Sequence, residues 1–329
     1  MKLRHFIWLP LATLLLNSCD LLAKKVTKEE AIEKVEAAYE KMEETELQSY
    51  EHTLINTEET TDKTFVDGKL TETEVFTMKD KSVVKGRELL TLNPEFSTLY
   101  ELNVLDKVNG EEVEFEELKE ETHYQDEWFY VNYHRIYRGE FGDDNEDTKL
   151  KYNVGRPDLS AIGFINFIAN EVSEAPHFPA GLAVDSLTNT YHLCSSITMK
   201  DLFGTVTITA KLTTRDFIRT LIGAFGGYDL LNLTSEEAEA LEEAVDEAMA
   251  ENGDQIVVKK GNFITEINKD GFISAIKQEL EMKTRVYDED EVLLTEATLK
   301  MVLDFKVKFN EKVTINFPNF ADYQLGEPA

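Results

Sequence analysis

Between Phe272 and Phe309 the chain alternates apolar and charged residues with a strict period of two. Phe272, Ser274, Ile276, Gln278, Leu280, Met282, Thr284 and Val286 fall on one parity. After Ile273 and Ala275, the other parity is mostly Lys, Glu and Arg. From Leu293 to Phe309 the pattern returns, with Leu299, Met301, Leu303, Phe305 and Val307 set against Glu296, Lys300, Asp304, Lys306 and Lys308. Alternation of this kind specifies strands with one wet face and one apolar face. A seventeen-residue strand spans roughly 55 Å, about three times the usual length, and a sheet of such strands must twist and curl.

The rest of the chain supplies partners for this hairpin. "TKEEAIEKVEAAYEKMEET" opens with Thr27 and Glu30 at capping-box spacing, and Ile32, Val35, Tyr39 and Met42 form an apolar stripe at helical spacing. Residues 49–65 and 69–79 read as a hairpin around Asp67-Gly68, and Asn109-Gly110 marks a second turn. The run 127–138 is aromatic on both parities, so something must cover both of its faces. Residues 158–172 and 213–227 carry broad apolar helical patterns, 189–198 and 204–212 read as strands between them, and 234–251 is a Glu-rich, solvent-facing helix.

The N-terminus has a different character. Lys2 and Arg4 precede an eleven-residue apolar run, Phe6 to Leu16, which as a helix would be only about 16 Å long, half the hydrocarbon thickness of a bilayer. That is the layout of a secretory signal peptide rather than a transmembrane anchor. Leu16-Asn17-Ser18-Cys19 resembles the lipobox of bacterial lipoproteins. The resemblance implies that the Cys19 thiol receives a diacylglyceryl group and that a peptidase cuts before it. Cys19 would then be the first mature residue, joined to the membrane by two or more acyl chains. Asp20, next to it, is similar to the inner-membrane retention residue of enteric lipoproteins, and so implies the outer face of the cytoplasmic membrane.

Loss of residues 1–18 removes two basic residues and no acidic ones, leaving 32 Lys+Arg against 64 Asp+Glu, a formal charge of −32. Phosphate polymers would be repelled, so a nucleic-acid partner is not expected. With Cys19 lipidated, Cys194 is the one remaining cysteine, no internal disulfide can form, and stability must come from a core. The organisation expected is a signal peptide at 1–18, a lipidated cysteine and tether at 19–26, and one α+β domain at 27–329.

Chemistry-bearing patterns are sparse. No nucleophile elbow, phosphate loop, dinucleotide fingerprint or paired-histidine zinc helix is present, so neither enzyme activity nor a cofactor is expected. Asp143, Asn145 and Asp147 alternate like the start of a calcium loop. The sixth position is Thr148 and the twelfth Val154, which removes the glycine turn and the bidentate glutamate, so a solvated acidic turn is expected and no metal site. His192 and Cys194 lie two apart, and packing is the expected role of Cys194. The aromatic set Tyr124, Trp128, Phe129, Tyr130, Tyr133, Tyr137 and Phe141 reads as core and strand packing that could border a cavity mouth.

In layout, a helix, long antiparallel strands, apolar middle helices and a final long hairpin ending "VTINFPNF" are similar to the LolA and LppX-like lipid-carrier lipoproteins. That resemblance implies a long, curled antiparallel sheet, an incomplete barrel, with apolar helices covering its concave face. Phe272, Ile276, Leu280, Leu299, Met301 and Phe305 would then face a cavity for a lipid or other hydrophobic ligand, under the middle helices as a lid. A non-enzymatic surface interaction or structural lipoprotein with a filled core is the competing expectation.

Overall fold

A computed structural model describes residues 23–46, 48–91, 93–140, 142–153, 190–226, 233–252 and 255–326. Its strands are β1 (Lys24–Lys25), β2 (Tyr50–Val66), β3 (Lys69–Arg87), β4 (Glu95–Val108), β5 (Glu111–Gln125), β6 (Trp128–Arg138), β7 (Asp144–Asn153), β8 (Ser196–Leu202), β9 (Thr205–Lys211), β10 (Ile256–Ile267), β11 (Ile273–Tyr287), β12 (Leu293–Phe309) and β13 (Gln324–Leu325). All thirteen join one curled, unclosed sheet in the order β1-β8-β9-β10-β11-β12-β2-β3-β4-β5-β6-β7-β13. Every joint is antiparallel except β13 against β7. Helices α1 (Lys28–Glu44), α2 (Thr214–Gly226) and α3 (Ser235–Asn252) complete the described elements.

The turns follow the expected chemistry. Asp67 and Gly68 have φ of 51° and 71°, and Asn109 and Gly110 have 54° and 86°, the left-handed pair that a two-residue hairpin needs. The middle of the sheet is the seam between β12 and β2, where Phe305 lies opposite Leu54, Val307 opposite His52 and Phe309 opposite Tyr50. That end of the seam is dry. Tyr50, Phe305, Val307, Ile273 and Ile276 share a core with Phe96, Tyr124 and Phe129 on one side and Ile197, Ile208 and Ala210 on the other.

Helix α1 closes this core. Thr27 Oγ1 accepts from the Glu30 backbone N–H, and Glu30 Oε2 accepts from that of Thr27, the capping box the sequence announces. Ala31, Val35, Ala38 and Met42 are the buried stripe, with Ile32 packed at its margin. At about 1.5 Å per residue the helix is near 25 Å long, against some 56 Å for β12, so it can cover only one end of the long face.

Helix α2 does not cover the rest. Its Ile218 packs with Leu241 and Val245 of α3 in a separate small core, and Arg215 and Arg219 reach Glu242 at 2.7 and 3.0 Å. Ile222 packs against the same small core, so this helix does not show the lid expected over the hairpin. The other expected lid helix, 158–172, lies outside the described residues. The strand expected over 189–198 also begins later: Thr190 to Leu193 are helical, and Cys194 is fully buried beside Tyr191. His192 and Cys194 thus share no strand face, and burial pushes the Cys194 thiol up to about 12, as suits a packing residue.

The opposite face of β3–β7 is covered by the chain's own end. After β12, Val313 and Ile315 are buried, and Phe317 and Phe320 pack around His123. Phe320 stacks on Tyr130 at 3.6 Å, and β13 then joins the sheet edge. Strand β6 thus has aromatic partners on both faces: Phe129 shares a row of the core with Tyr124 and Phe96 on one, and Phe320 and Tyr323 pack on Tyr130 on the other.

Among the core residues is one titration switch for stability. His52 is buried, lies edge-on to Tyr50 and has Nδ1 2.8 Å from the Tyr50 hydroxyl. Desolvation lowers its pKa from 6.5 to about 4. The unfolded chain therefore holds the extra proton between these values, so stability is complete above pH 6.5 and falls as pH drops toward 4, by up to roughly 3 kcal/mol. His52→Gln should lose less stability than wild type between pH 7 and 4.5 in urea unfolding. Equal losses would show that His52 does not titrate there.

Candidate functional site

The core-side face of β11, β12, β2, β3 and β4 changes character along its length, and cross-strand register locates the change. In the row Ile276–Phe305–Leu54–Ser82–Tyr100, the first two side chains are fully buried under α1. One step further from α1 comes Gln278–Leu303–Asn56–Asp80–Leu102, then Leu280–Met301–Glu58–Met78–Val104, then Met282–Leu299–Thr60–Phe76–Asp106. Apart from Gln278, β11 and β12 stay apolar in these further rows, but Leu280, Met282, Leu299, Met301 and Leu303 are half-buried rather than enclosed.

The six residues read from the sequence as one cavity lining therefore divide. Ile276 and Phe305 belong to a filled core, and Phe272 stacks on Phe309 at 5.8 Å with the Lys41 ammonium 5.3 Å from its ring. They line no open space, because α1 and the aromatic neighbours already occupy that end. Leu280, Leu299 and Met301 continue the same face beyond the helix. They form one contiguous patch, since Leu280 lies opposite Met301 and Met282 opposite Leu299.

Between core and patch lies a polar margin invisible to the alternation pattern. Asp80 lies opposite Asn56, and Tyr100 opposite Glu120. Burial raises the pKa of Asp80, Tyr100 and Glu120 above their ordinary values, although Asn56 hydrogen-bonding partly opposes the shift at Asp80. The Asn56 Oδ1 atom is buried with no hydrogen-bond partner among the described residues, an acceptor that a hydroxyl or amine donor would satisfy. An apolar strip bordered by half-dry acceptors suits an amphipathic molecule, with its chain on Leu280, Met301 and Leu299 and its polar end toward Asn56 and Asp80.

The C-terminal segment creates a second concavity on the other face. A groove of about 400 Å³ is bordered by Lys81, Lys85, Ser97, Glu121 and His123 on the sheet and by Ile315 and Asn316 of the segment. Val83 and Leu99 also line it, so charged and apolar side chains are mixed there. Asn145 and Asp147 belong to β7, opposite Ile136 and His134, so the acidic turn expected there is instead the first half of a strand, ahead of the two residues that pair with β13. No cluster of three or more potential metal ligands occurs among the described residues.

No family model matches the chain, and no curated protein does. Among solved structures, it is similar to the β-barrel-like protein of domain of unknown function DUF1849 from Brucella abortus. That match has 9% identity and a TM-score of 0.14, over 78% of this chain and 98% of that one. A superposition that loose carries no argument about fold or function.

Proposed function

We propose that the chain is a non-enzymatic, extracytoplasmic lipoprotein, anchored through acylated Cys19 on the outer face of the cytoplasmic membrane, that binds a lipid or similar amphipathic ligand on the core-side face of its curled sheet. The observation that supports this reading most directly is the continuation of the apolar parity of β11 and β12 beyond α1. There Leu280, Met282, Leu299 and Met301 stay half-buried without entering the core. The same rows on β2 carry the polar Glu58 and Thr60, so the sheet itself does not require apolar residues at this depth.

The competing reading is an interaction protein with a filled core, in which the patch takes a protein partner. Ala297 separates the two, because it lies in the row beyond Leu299, between Thr284 and Asp62, where a large side chain would lie across the strip. On the ligand reading, Ala297→Trp displaces lipid at a modest folding cost, since the space is open in the ligand-free chain. A protein that carries no lipid and is simply destabilised by this change supports the partner reading.

A further inference from the structure

The turn between β8 and β9 carries a residue with no structural reason to be there. Phe203 is 101% exposed and sits at φ 55°, followed by Gly204 at φ 85°. A left-handed turn position favours Asn, Asp or Gly, and a bulky side chain there is disfavoured. Phe203 recovers none of this by packing. Aspartate and glycine hold the turn around it, through Asp201 Oδ1 accepting from the Gly204 N–H at 3.2 Å.

The register of the sheet edge gives this side chain a direction. β1 pairs antiparallel with β8, Lys25 opposite Thr198 and Lys24 opposite Met199, and the Val26 N–H donates to Ile197 O at 3.2 Å. Because the pairing is antiparallel, the N-terminal end of β1 at Lys24 is the end nearer the Phe203 turn. Lys24 is five chain steps from Cys19, so the Cα of Cys19 lies within about 18 Å of that of Lys24 whatever path the intervening residues take. Phe203 is four strand residues beyond Met199, about 13 Å. The stretch read as a tether is thus shortened by a two-residue strand that fixes one end of the sheet near the anchor.

The surroundings fit a bilayer surface. Lys24 and Lys25 are exposed on the edge strand, Lys200 is half-buried on β8, and exposed Lys269 approaches the turn, its Cβ 3.3 Å from where a Gly204 Cβ would be. Aromatic rings favour the membrane interface, with lysines reaching the headgroups. The body's charge of −32 would keep the rest of the molecule off an anionic surface.

From this geometry we infer that the β8–β9 turn is a second membrane contact, in which Phe203 inserts into the headgroup–acyl boundary beside the lipid anchor and fixes how the sheet stands on the bilayer. The inference rests on the reading of Cys19 as the anchor. Every described element begins at or after Lys24, so the chain starting at Cys19 keeps all of them. That chain, coupled through the Cys19 thiol to maleimide-bearing lipid in phosphatidylcholine vesicles, tests the turn without relying on cellular acylation, because Cys194 is buried. In a Trp128→Phe background, Phe203→Trp provides a single indole. Its emission should move to the blue on coupling and be quenched by brominated phosphatidylcholine, while the uncoupled protein stays water-like. Emission that stays water-like and unquenched after coupling overturns the inference. A separate mass measurement of the N-terminal peptide from cells tests the anchor itself. An unmodified Cys19 would remove the anchor reading, and insertion of the indole introduced by Phe203→Trp would still support the turn as a membrane contact.

Discussion

Cys19→Ser is expected to abolish incorporation of labelled fatty acid into the protein, an all-or-none effect. The linkage that the lipobox resemblance implies is a thioether, and serine has no sulfur to form it. The only other cysteine, Cys194, is fully buried with its thiol pushed up to about 12, so it offers no substitute nucleophile. No helix among the described residues is long and apolar enough to cross a membrane, and the run from Phe6 to Leu16 is too short to be a comfortable permanent span. Two acyl chains suffice for stable attachment, at about 0.8 kcal/mol per buried methylene. The variant should therefore accumulate as an unacylated precursor or in the soluble fraction. Normal acylation of another residue would contradict the account.

The second large effect is on stability. Phe305→Ala should cost about 3–5 kcal/mol in urea unfolding, because its fully buried ring joins Ile276 to Leu54 across the central seam and lies 5.5 Å from His52. Closure of the resulting void is resisted on three sides by β11, β2 and α1. Leu299→Ala, three residue pairs further along the face, should cost clearly less, since Leu299 is only half-buried among the described residues. Equal costs would mean that the face is enclosed along its whole length and that no open strip exists.

What the sequence reveals and what it hides have physical reasons. Strands β11 and β12 are legible residue by residue because one face is dry and the other wet, which is the condition for strict alternation. Strand β10 is not, because Lys259, Lys260 and Gly261 interrupt its parity, and the structure places a register shift between Val258 and Lys260. β7 is masked by the acids of its first half, which lies beyond the reach of β13 and suits a stretch that must resist pairing with other chains. β1 looks like tether because two lysines carry no pattern at all. The candidate site is half legible for a related reason. Period two identifies which side chains share a face, but cannot say how far along that face a helix reaches. Ile276 and Leu280 look alike in sequence, and only the end of α1 separates core from patch. The polar margin at Asn56, Asp80 and Glu120 comes from three strands distant in sequence and has no linear signature.

The central claim is that the strip beyond α1 holds a lipid. The most direct measurement is native mass spectrometry of the chain from residue 20 onward, purified without detergent from the cell, with extraction and identification of whatever it carries, for wild type and Ala297→Trp side by side. The account predicts a bound lipid or amphipathic molecule in the wild type and its loss from a folded Ala297→Trp protein. A folded wild type free of any such molecule, unable to take up a fluorescent fatty-acid analogue, would contradict it.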